Sequence, residues 1–332
     1  MPTASRGGVS SLHAPVPVPV YQHSSKAGSP PGTLTTDDVR IPRANVNTCP
    51  LVFRGLFHDV VAAVHPLNAS LFIPETSISN DNNPPSSSTP LSVLRANDNI
   101  HFLDNDGFAT RENVSIEDLV SALDTTSPPA PTIDNTPPSS LAQQRLYHRA
   151  PVPTRLATAL LSSPLIASVS PTTSHLTPLA RIWASSAGSI TPLHYDKCHG
   201  LLVQLHGRKR FLIIPRDDAR NCYLHNGITG PTHASRVRGA DRAFMRASRD
   251  NADDADHVVE GDDDEETRDL LASFPLLAAT RPWIVTLEPG DCVYTPPGFL
   301  HEVTSISGSV SVTIPSDMTE AELDDRPAFM KF

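Results

Sequence analysis

The chain has 332 residues, which is enough for one large domain or two small ones. Its formal net charge of −10 argues against a general nucleic-acid-binding protein, because such a protein presents a basic face to the phosphates. A hydrophobic fraction of 39% together with 33 prolines predicts that much of the chain is loop or disordered.

Cysteine spacing and apolar runs bear on the cellular compartment. No apolar segment follows Met1, so no secretory signal is expected, and no run reaches the roughly 18 apolar residues of a membrane span. We therefore expect an intracellular protein of the nucleus, the cytoplasm or both, with reduced thiols. None of the four cysteines forms a C-x-x-C pair, so no zinc ribbon or redox motif is predicted for Cys49, Cys198, Cys222 and Cys292.

Composition divides the chain into three parts. Residues 1–45 are rich in Pro, Ser, Gly and Thr and are predicted to be a disordered leader, in which residues 14–20 should be extended and polyproline-like. Residues 46–145 are predicted to form an α/β flank. Residues 146–332 are predicted to form a β core that carries an acidic insert at 240–269.

Several short elements are predicted between residue 46 and the β-rich region that begins at Leu179. The clearest is a helix over 115–123, because Ser115 suits an N-cap, acids fill the first turn and apolar residues recur at helical spacing. The other predicted elements are, in chain order, a buried strand in 50–56, one or two helical turns at 59–64, paired strands at 91–94 and 100–103, a linker at 125–139, a strand at 141–146 and a helix at 154–161.

From Leu179 onward the pattern is mainly β. Short apolar runs are separated by glycine or proline turns, and no helical pattern alternates with them, which argues against a parallel α/β sheet. This pattern predicts a mainly β fold, a double-stranded β-helix or jelly roll of the cupin type. The eight predicted strands are 180–185, 191–196, 201–206, 208–214, 283–287, 291–295, 300–306 and 309–314.

A long insert, residues 216–282, interrupts this series. It holds two acidic blocks, 253–256 and 262–266. Such a block of like charge favours a solvated, mobile loop, and docking of a basic peptide or a histone-like tail is the less favoured interpretation. The acidic end of the chain, 319–325, predicts a short helix.

The candidate chemistry centres on Thr191-Pro192-Leu193-His194-Tyr195-Asp196. Alternate residues of a strand point to the same face, so His194 and Asp196 should lie side by side. His301, on the seventh predicted strand, would complete a 2-His-1-carboxylate triad, which leaves metal positions open and is typical of non-haem Fe(II) oxygenases. A structural histidine at 194 is the alternative, and zinc also suits these ligands. Cys198 and His199 lie just beyond and are not assigned as ligands.

A basic run, Gly207-Arg208-Lys209-Arg210-Phe211, follows Asp196 on the next-but-one predicted strand. Alternation places Lys209 with Phe211 and Ile213 on one face of the strand, so the lysine is predicted to point inward. A lysine near a metal is a suitable anchor for a dianionic cosubstrate. A plain surface lysine between two arginines is the alternative.

Three stretches together resemble one family. They are 183–196, 200–210 and 287–301, the last ending in Pro296-Pro297-Gly298-Phe299-Leu300-His301. The chain resembles the JmjC-domain, cupin-like Fe(II)- and 2-oxoglutarate-dependent dioxygenases, and within them the small protein hydroxylases of the hypoxia-inducible-factor asparaginyl hydroxylase group. The resemblance covers about residues 179–315 well and 50–56 weakly.

The resemblance implies roles for individual residues. His194, Asp196 and His301 would hold iron, and Lys209 would bind the far carboxylate of 2-oxoglutarate beside the hydroxyl of Thr191. Gln143 and Trp183 would lie on the substrate side. Five positions depart from the family pattern: Leu141 where some relatives have a tyrosine, Gly200 in place of a frequent asparagine, Pro315 near another common asparagine, and 299–300 where bulky aromatics are usual.

The implied activity is hydroxylation of a protein or peptide side chain, with Fe(II) as cofactor, 2-oxoglutarate and O2 as cosubstrates, and succinate and CO2 released. A lysine demethylase of the same family is a second hypothesis, supported only by the acidic insert. A non-catalytic cupin-like protein that binds a metal or ligand is a third, and hydroxylation of an RNA base is a fourth, weakened by the net charge. The oligomeric state is left open, with a monomer preferred.

Overall fold

The computed structural model describes residues 12–20, 49–65, 67, 71–72, 90–96, 98, 100–102, 109–124, 145–163, 165–166, 179–250 and 263–330. None of the helices in these ranges is long and apolar enough to cross a membrane.

The β core consists of two sheets. All eight predicted strands form, with ends that differ from the predicted ones by a few residues. The prediction of a jelly-roll fold is confirmed, because the eight antiparallel strands divide four and four between two sheets. The core strands are β6 (Arg181–Ser185), β7 (Ile190–Tyr195), β8 (His199–His206), β9 (Lys209–Ile214), β10 (Trp283–Leu287), β11 (Cys292–Thr295), β12 (Leu300–Ser305) and β13 (Ser309–Ser316).

The two sheets enclose an apolar interior. One sheet has the order β1-β10-β9-β12-β7, and the other runs β2-β11-β8-β13-β6-β5-β3-β4. Phe211, Val285 and Val303 of the first sheet pack against Val293 and Leu202 of the second. The pocket described below opens from this interior.

The N-terminal flank extends the second sheet and covers it with helices. Its elements are β2 (Leu51–Phe53), α1 (His58–Val64), β3 (Leu91–Ala96), β4 (Ala109–Val114), α2 (Ile116–Leu123), β5 (Tyr147–Pro151) and α3 (Thr154–Leu161). The predicted helices at 115–123 and 154–161 are confirmed, and the Ser115 hydroxyl accepts a hydrogen bond from the Asp118 amide at 3.1 Å. This cap satisfies one of the free amides at the start of α2.

The predicted pairing of 91–94 with 100–103 is wrong. Strand β3 pairs with β4 and β5 instead, and His101 makes only an isolated bridge to Ile190. Strand β4 was not predicted from the sequence, because it is the outermost strand of its sheet and has four consecutive exposed residues. An edge strand that faces solvent does not show apolar alternation.

Part of the predicted disordered leader is ordered. Strand β1 (Val16–Pro17) runs parallel to β10, the amides of Val16 and Val18 donate to Pro282 and Ile284, and Val18 is buried. Valine alternates with proline here. The valine amides donate to β10, and the prolines, which have no amide hydrogen, occupy the positions between them, where the edge pairing needs no donor. The remaining leader residues, 1–11 and 21–45, lie outside the described residues.

The insert is not simply a solvated loop. It contains α4 (Ala240–Asp250) and α5 (Asp263–Ser273), with 3-10 helices at Arg216–Asn221 and Pro275–Ala279. The second acidic block fills the first turn of α5, where negative charge is favoured by the helix dipole. Ala240 and Phe244 of α4 are buried against Leu212 and Ile214 of β9. Residues 251–262, with the first acidic block, lie outside the described residues.

The predicted C-terminal helix is confirmed. It is α6 (Glu320–Asp324), and Thr319 and Glu322 form a capping box at its start. A short 3-10 helix, Ala328–Met330, follows it. The proposed division of the chain at residues 45 and 145 stays a prediction.

Candidate metal centre

Two histidines from separate motifs meet on adjacent strands. Strands β7 and β12 are antiparallel neighbours, and His301 is the direct partner of His194 in their register. The two strands therefore lie side by side in one sheet, and the two imidazoles meet across a single strand pair. The ring centroids are 4.3 Å apart. Asp196 follows the last residue of β7, and its carbonyl accepts a hydrogen bond from the Gly298 amide at 2.9 Å.

The three side chains offer one ligand atom each to a common point. These atoms all lie within 4.8 Å of one another, and His301 Nε2 is 3.8 Å from Asp196 Oδ2. Two imidazoles and a carboxylate suit Fe(II) and also zinc, and the donor types alone do not separate these metals.

Backbone carbonyls orient both rings. His194 Nδ1 donates to the Pro192 carbonyl at 2.7 Å, and His301 Nδ1 donates to the Phe299 carbonyl at 3.2 Å. A carbonyl oxygen can only accept, so the proton of each neutral ring sits on Nδ1 and the Nε2 lone pair is left for a metal. Burial, and then the neighbouring His301, lower the pKa of His194 to about 4, which keeps this imidazole neutral near pH 7.

The centre opens into a cavity of about 460 Å³ that also holds Lys209 and Thr191. Lys209 lies inside, as alternation predicted, with only 3% of its surface exposed. Its ammonium group donates to the Ser311 hydroxyl at 2.8 Å. Burial lowers the pKa of Lys209 to about 7, because the charged form loses its hydration.

A tyrosine that the sequence reasoning missed contributes to this cavity. Tyr147 of β5 shares a hydrogen bond of 2.7 Å with the Thr191 hydroxyl. Leu141 had been matched to a tyrosine position of the family, but Leu141 and Gln143 lie outside the described residues. The structure brings a tyrosine to the cavity six positions further along the chain. No sequence signal identified Tyr147, because its place in the cavity follows from the pairing of its strand with the strand of Trp183.

Trp183 lines the cavity, and its indole nitrogen is buried without a hydrogen-bond partner among the described residues. The guanidinium of Arg149 lies over the ring, 5.0 Å from its centroid. This contact follows from the sheet register, in which Arg149 and Trp183 are direct partners on β5 and β6.

The insert supplies another wall. Pro231 and His233 line the cavity, and the His233 carbonyl accepts from the Tyr195 amide at 2.9 Å. The Ser235 amide donates to Leu193 at 2.8 Å, so this segment runs alongside β7. No sequence signal had linked the insert to the site.

His199, although close in sequence, is turned away from the centre. Its ring nitrogens contact the Tyr294 hydroxyl at 2.8 Å and the Glu322 carboxylate at 3.2 Å. The imidazole therefore joins β8 and β11 to the C-terminal helix α6 rather than to the triad.

Comparison with known proteins agrees with this architecture. Residues 46–316, well over half of the chain, match the family model for the cupin-like domain. Jumonji C domain-containing protein 5 of Drosophila melanogaster is 32% identical over 133 residues, which cover 40% of this chain and 26% of that protein. JmjC domain-containing proteins D and F of Dictyostelium discoideum are each 27% identical, over 130 and 134 residues.

The aligned segment spans about a quarter of the length of these relatives, at 26%, 23% and 25%. It covers 39–40% of this chain. Members of this JmjC and cupin-like group are typically iron- and 2-oxoglutarate-dependent oxygenases. The narrower likeness to the asparaginyl hydroxylase group stays a prediction. The extent of the family match and the jelly-roll topology show that the chain belongs to the cupin-like domain family.

Proposed function

We propose that the chain is an Fe(II)- and 2-oxoglutarate-dependent dioxygenase that hydroxylates a side chain of a protein or peptide. The observation that carries the proposal is one cavity that joins a three-ligand centre to a buried lysine. A cupin-like protein that only bound a metal would not need the buried cation.

His194, Asp196 and His301 are the residues that would hold iron. Their donor set fits the metal, because Nδ1 holds the proton of each neutral imidazole and Nε2 keeps its lone pair. Asp196 is half-exposed and lines the cavity. When bound with 2-oxoglutarate and O2, iron supplies oxidative decarboxylation to succinate and CO2 coupled to hydroxylation of a C–H bond. The two carbonyls behind the imidazoles keep the ligands aimed at one point.

Lys209 would hold the far carboxylate of 2-oxoglutarate. Its hydrogen-bond partner in the described structure is the neutral Ser311 hydroxyl, and no carboxylate pairs with it there. A buried ammonium without a counter-charge is costly, so an anionic ligand would restore its electrostatic balance. The linked hydroxyls of Thr191 and Tyr147 line the same cavity, and the one that accepts their shared hydrogen bond would donate to that carboxylate.

The departures at 200 and 315 do not remove these groups. Gly200 lines the cavity, and Pro315 is its direct partner between β8 and β13. The two positions are therefore one local difference in the cavity wall. The proposed cosubstrate contacts come from β5, β7 and β9, which this difference leaves intact.

The first experiment measures binding and turnover separately. Anaerobic addition of Fe(II) and 2-oxoglutarate to the full chain should give a weak visible charge-transfer band, and air should then release succinate. His194→Ala should lose both signals, because it removes one of the three ligands. His225→Ala is the matched control, since this histidine belongs to the insert and does not line the cavity.

Full succinate release by His194→Ala would refute the proposal, and a missing charge-transfer band in the wild type would favour a binding protein without turnover. Mass spectrometry of treated peptide arrays separates the two enzymatic hypotheses. A gain of one oxygen indicates hydroxylation, and a loss of one methylene indicates demethylation.

A further inference from the structure

The strand that carries His301 has polar side chains on its outer face. His301 and Val303 of β12 line the cavity, so Glu302 and the residue after Val303 point to the opposite side of the sheet. Glu302 is fully buried there, and one of its oxygens accepts a hydrogen bond from the Asp241 amide at 2.8 Å. Asp241 lies in the first turn of α4, so the carboxyl group caps the start of the insert helix.

The side chain of Asp241 holds the same helix end to the sheet. Arg210 of β9 donates to both of its oxygens, at 2.6–3.0 Å, and the Thr304 hydroxyl of β12 donates to one of them at 2.8 Å. Arg210 and Thr304 are direct partners in the register of the two strands. The start of α4 is therefore fixed to the back of the two strands whose inner faces carry Lys209 and His301.

A β-bulge lies opposite Glu302. The register of β7 against β12 shifts by one residue here, so Pro192 and Leu193 together face Glu302. The Pro192 carbonyl is the group that orients the His194 ring, at 2.7 Å, and the Leu193 amide faces the Glu302 carboxyl group. Bulges re-aim side chains next to functional sites, and this one sets the direction of a metal ligand.

Stability alone does not account for a carboxyl group at position 302. Its second oxygen is buried without a hydrogen-bond partner among the described residues. Burying a carboxyl group that is only partly satisfied costs free energy, which an apolar side chain of similar size would not cost. What the carboxyl group provides, and an apolar side chain would not, is an acceptor between the bulge and the insert helix.

We propose that Glu302 is a positioning residue of the metal centre, which holds the bulge that aims His194 and fixes the insert helix behind His301. The inference rests on the proposed function only in requiring that the triad binds a metal. Glu302 does not line the cavity, so it acts through the backbone of β7 and β12.

The test is a titration of Co(II) into the metal-free full chain, because the visible bands of this ion report ligand geometry as well as occupancy. Glu302→Met keeps the length of the side chain and removes the acceptor. Its Kd for Co(II) should rise on the order of tenfold, with altered visible bands, as expected when a group that orients metal ligands is lost. Glu302→Gln still accepts from the Asp241 amide and should stay within about twofold of the wild type.

Thr304→Val weakens the same anchor from a second side. It removes one hydrogen bond to Asp241 and should raise the Kd for Co(II) by about threefold. Asp291→Leu is the matched control, because Asp291 is also a buried carboxylate and accepts from the Gly55 amide at 2.9 Å, but it precedes β11 in the other sheet and does not line the cavity. It should lower stability and leave the Kd within about twofold.

Circular dichroism establishes that each variant is folded. Wild-type affinity and bands in Glu302→Met would overturn the inference, and so would an equal loss of affinity in Asp291→Leu. Should Glu302→Met not fold, an unchanged Kd in Thr304→Val would overturn it instead. A wild type that binds no Co(II) removes the metal centre and the proposed oxygenase, whereas a wild type that binds it beside unaffected variants removes only the role of Glu302.

Discussion

The hydroxyl groups of Tyr147 and Thr191 lie 2.7 Å apart although 44 positions separate them in the chain. Tyr147 belongs to β5 of the eight-stranded sheet, and Thr191 belongs to β7 of the five-stranded sheet. The contact therefore links the two sheets at the cavity. Because one hydroxyl donates to the other, the pair presents one free O–H donor at the wall that holds Lys209.

Tyr147→Phe removes the phenolic hydroxyl of this pair without changing the ring. We expect the Kd for 2-oxoglutarate to rise roughly tenfold, because a hydrogen bond to a carboxylate contributes about 1.5 kcal/mol. Calorimetric titration of the Mn(II)-loaded protein measures this change. The free energy of unfolding should fall by about 1 kcal/mol through the lost contact with Thr191.

Tyr223→Phe is the control for that variant. The Tyr223 hydroxyl accepts a hydrogen bond from the Leu276 amide at 2.9 Å, within the insert and outside the cavity wall. Its loss should lower stability by a similar amount and leave the Kd unchanged. An unaltered Kd in Tyr147→Phe would show that Tyr147 supports the sheet contact and does not contact the cosubstrate.

The pKa of Lys209 predicts how cosubstrate binding depends on pH. Burial lowers this pKa to about 7, and a bound dianion raises it again, so binding above pH 7 takes up a proton. The affinity for 2-oxoglutarate should therefore fall as the pH rises through 7, by up to about tenfold per pH unit. Titrations between pH 6 and 9 in the Mn(II)-loaded protein measure the slope.

Lys209→Arg tests whether the proton taken up on cosubstrate binding goes to Lys209 and not to another group in the cavity. Arginine stays charged over the whole range, so the variant should bind with an affinity that no longer changes with pH. A wild-type Kd that is constant from pH 7 to 9 would mean that Lys209 is already charged in the free protein.

The placement of His194 beside Asp196 and the inward direction of Lys209 were predictable because the patterns that reveal them are local. His194 and Asp196 are two positions apart, and Lys209 alternates with Phe211 and Ile213, so strand geometry alone decides which side chains share a face. Strand order is different. That β7 and β12 are neighbours depends on pairings between distant segments, which alternation does not encode.

Tyr147 and Arg149 were missed for a related reason. Strand β5 is only five residues long, Tyr-His-Arg-Ala-Pro, and joins the sheet through β6 and β3 rather than through a hairpin of its own. The wall formed by Pro231 and His233 was missed because hydrogen bonds to β7, rather than apolar periodicity, hold that segment in place.

The buried Glu302 should make the free energy of unfolding depend on pH. Its side chain is fully buried on β12, one oxygen accepts from the Asp241 amide at 2.8 Å, and burial raises its pKa to about 8. The folded pKa exceeds the unfolded value of 4.5, so the folded state holds the extra proton between these limits. Stability from this group is complete below about pH 4.5 and is lost as the pH rises through 8.

Glu302→Gln keeps the shape and stays neutral. Its free energy of unfolding should match the wild type near pH 4.5 and exceed it near pH 8, with a difference that grows by up to about 1.4 kcal/mol per pH unit. Urea denaturation of the metal-free protein at several pH values measures this. Glu288→Gln, at an exposed carboxylate paired with Arg208, should leave the slope unchanged, and an equal effect in both variants would contradict the assignment.

Two glycines, one in β8 and one in the turn that follows it, should change the free energy of unfolding in opposite directions when each is replaced by alanine. A Cβ at Gly200 would meet only the Thr295 carbonyl, at 3.8 Å, so Gly200→Ala should raise the free energy of unfolding by about 0.4–1 kcal/mol through a less flexible unfolded chain. Gly207 has a φ of +62°, and a Cβ there would lie 1.9 Å from the Gly308 carbonyl. Gly207→Ala should therefore cost more than about 2 kcal/mol. Urea denaturation compares them, and a loss of stability in Gly200→Ala would show that this cavity wall has no room for a methyl group.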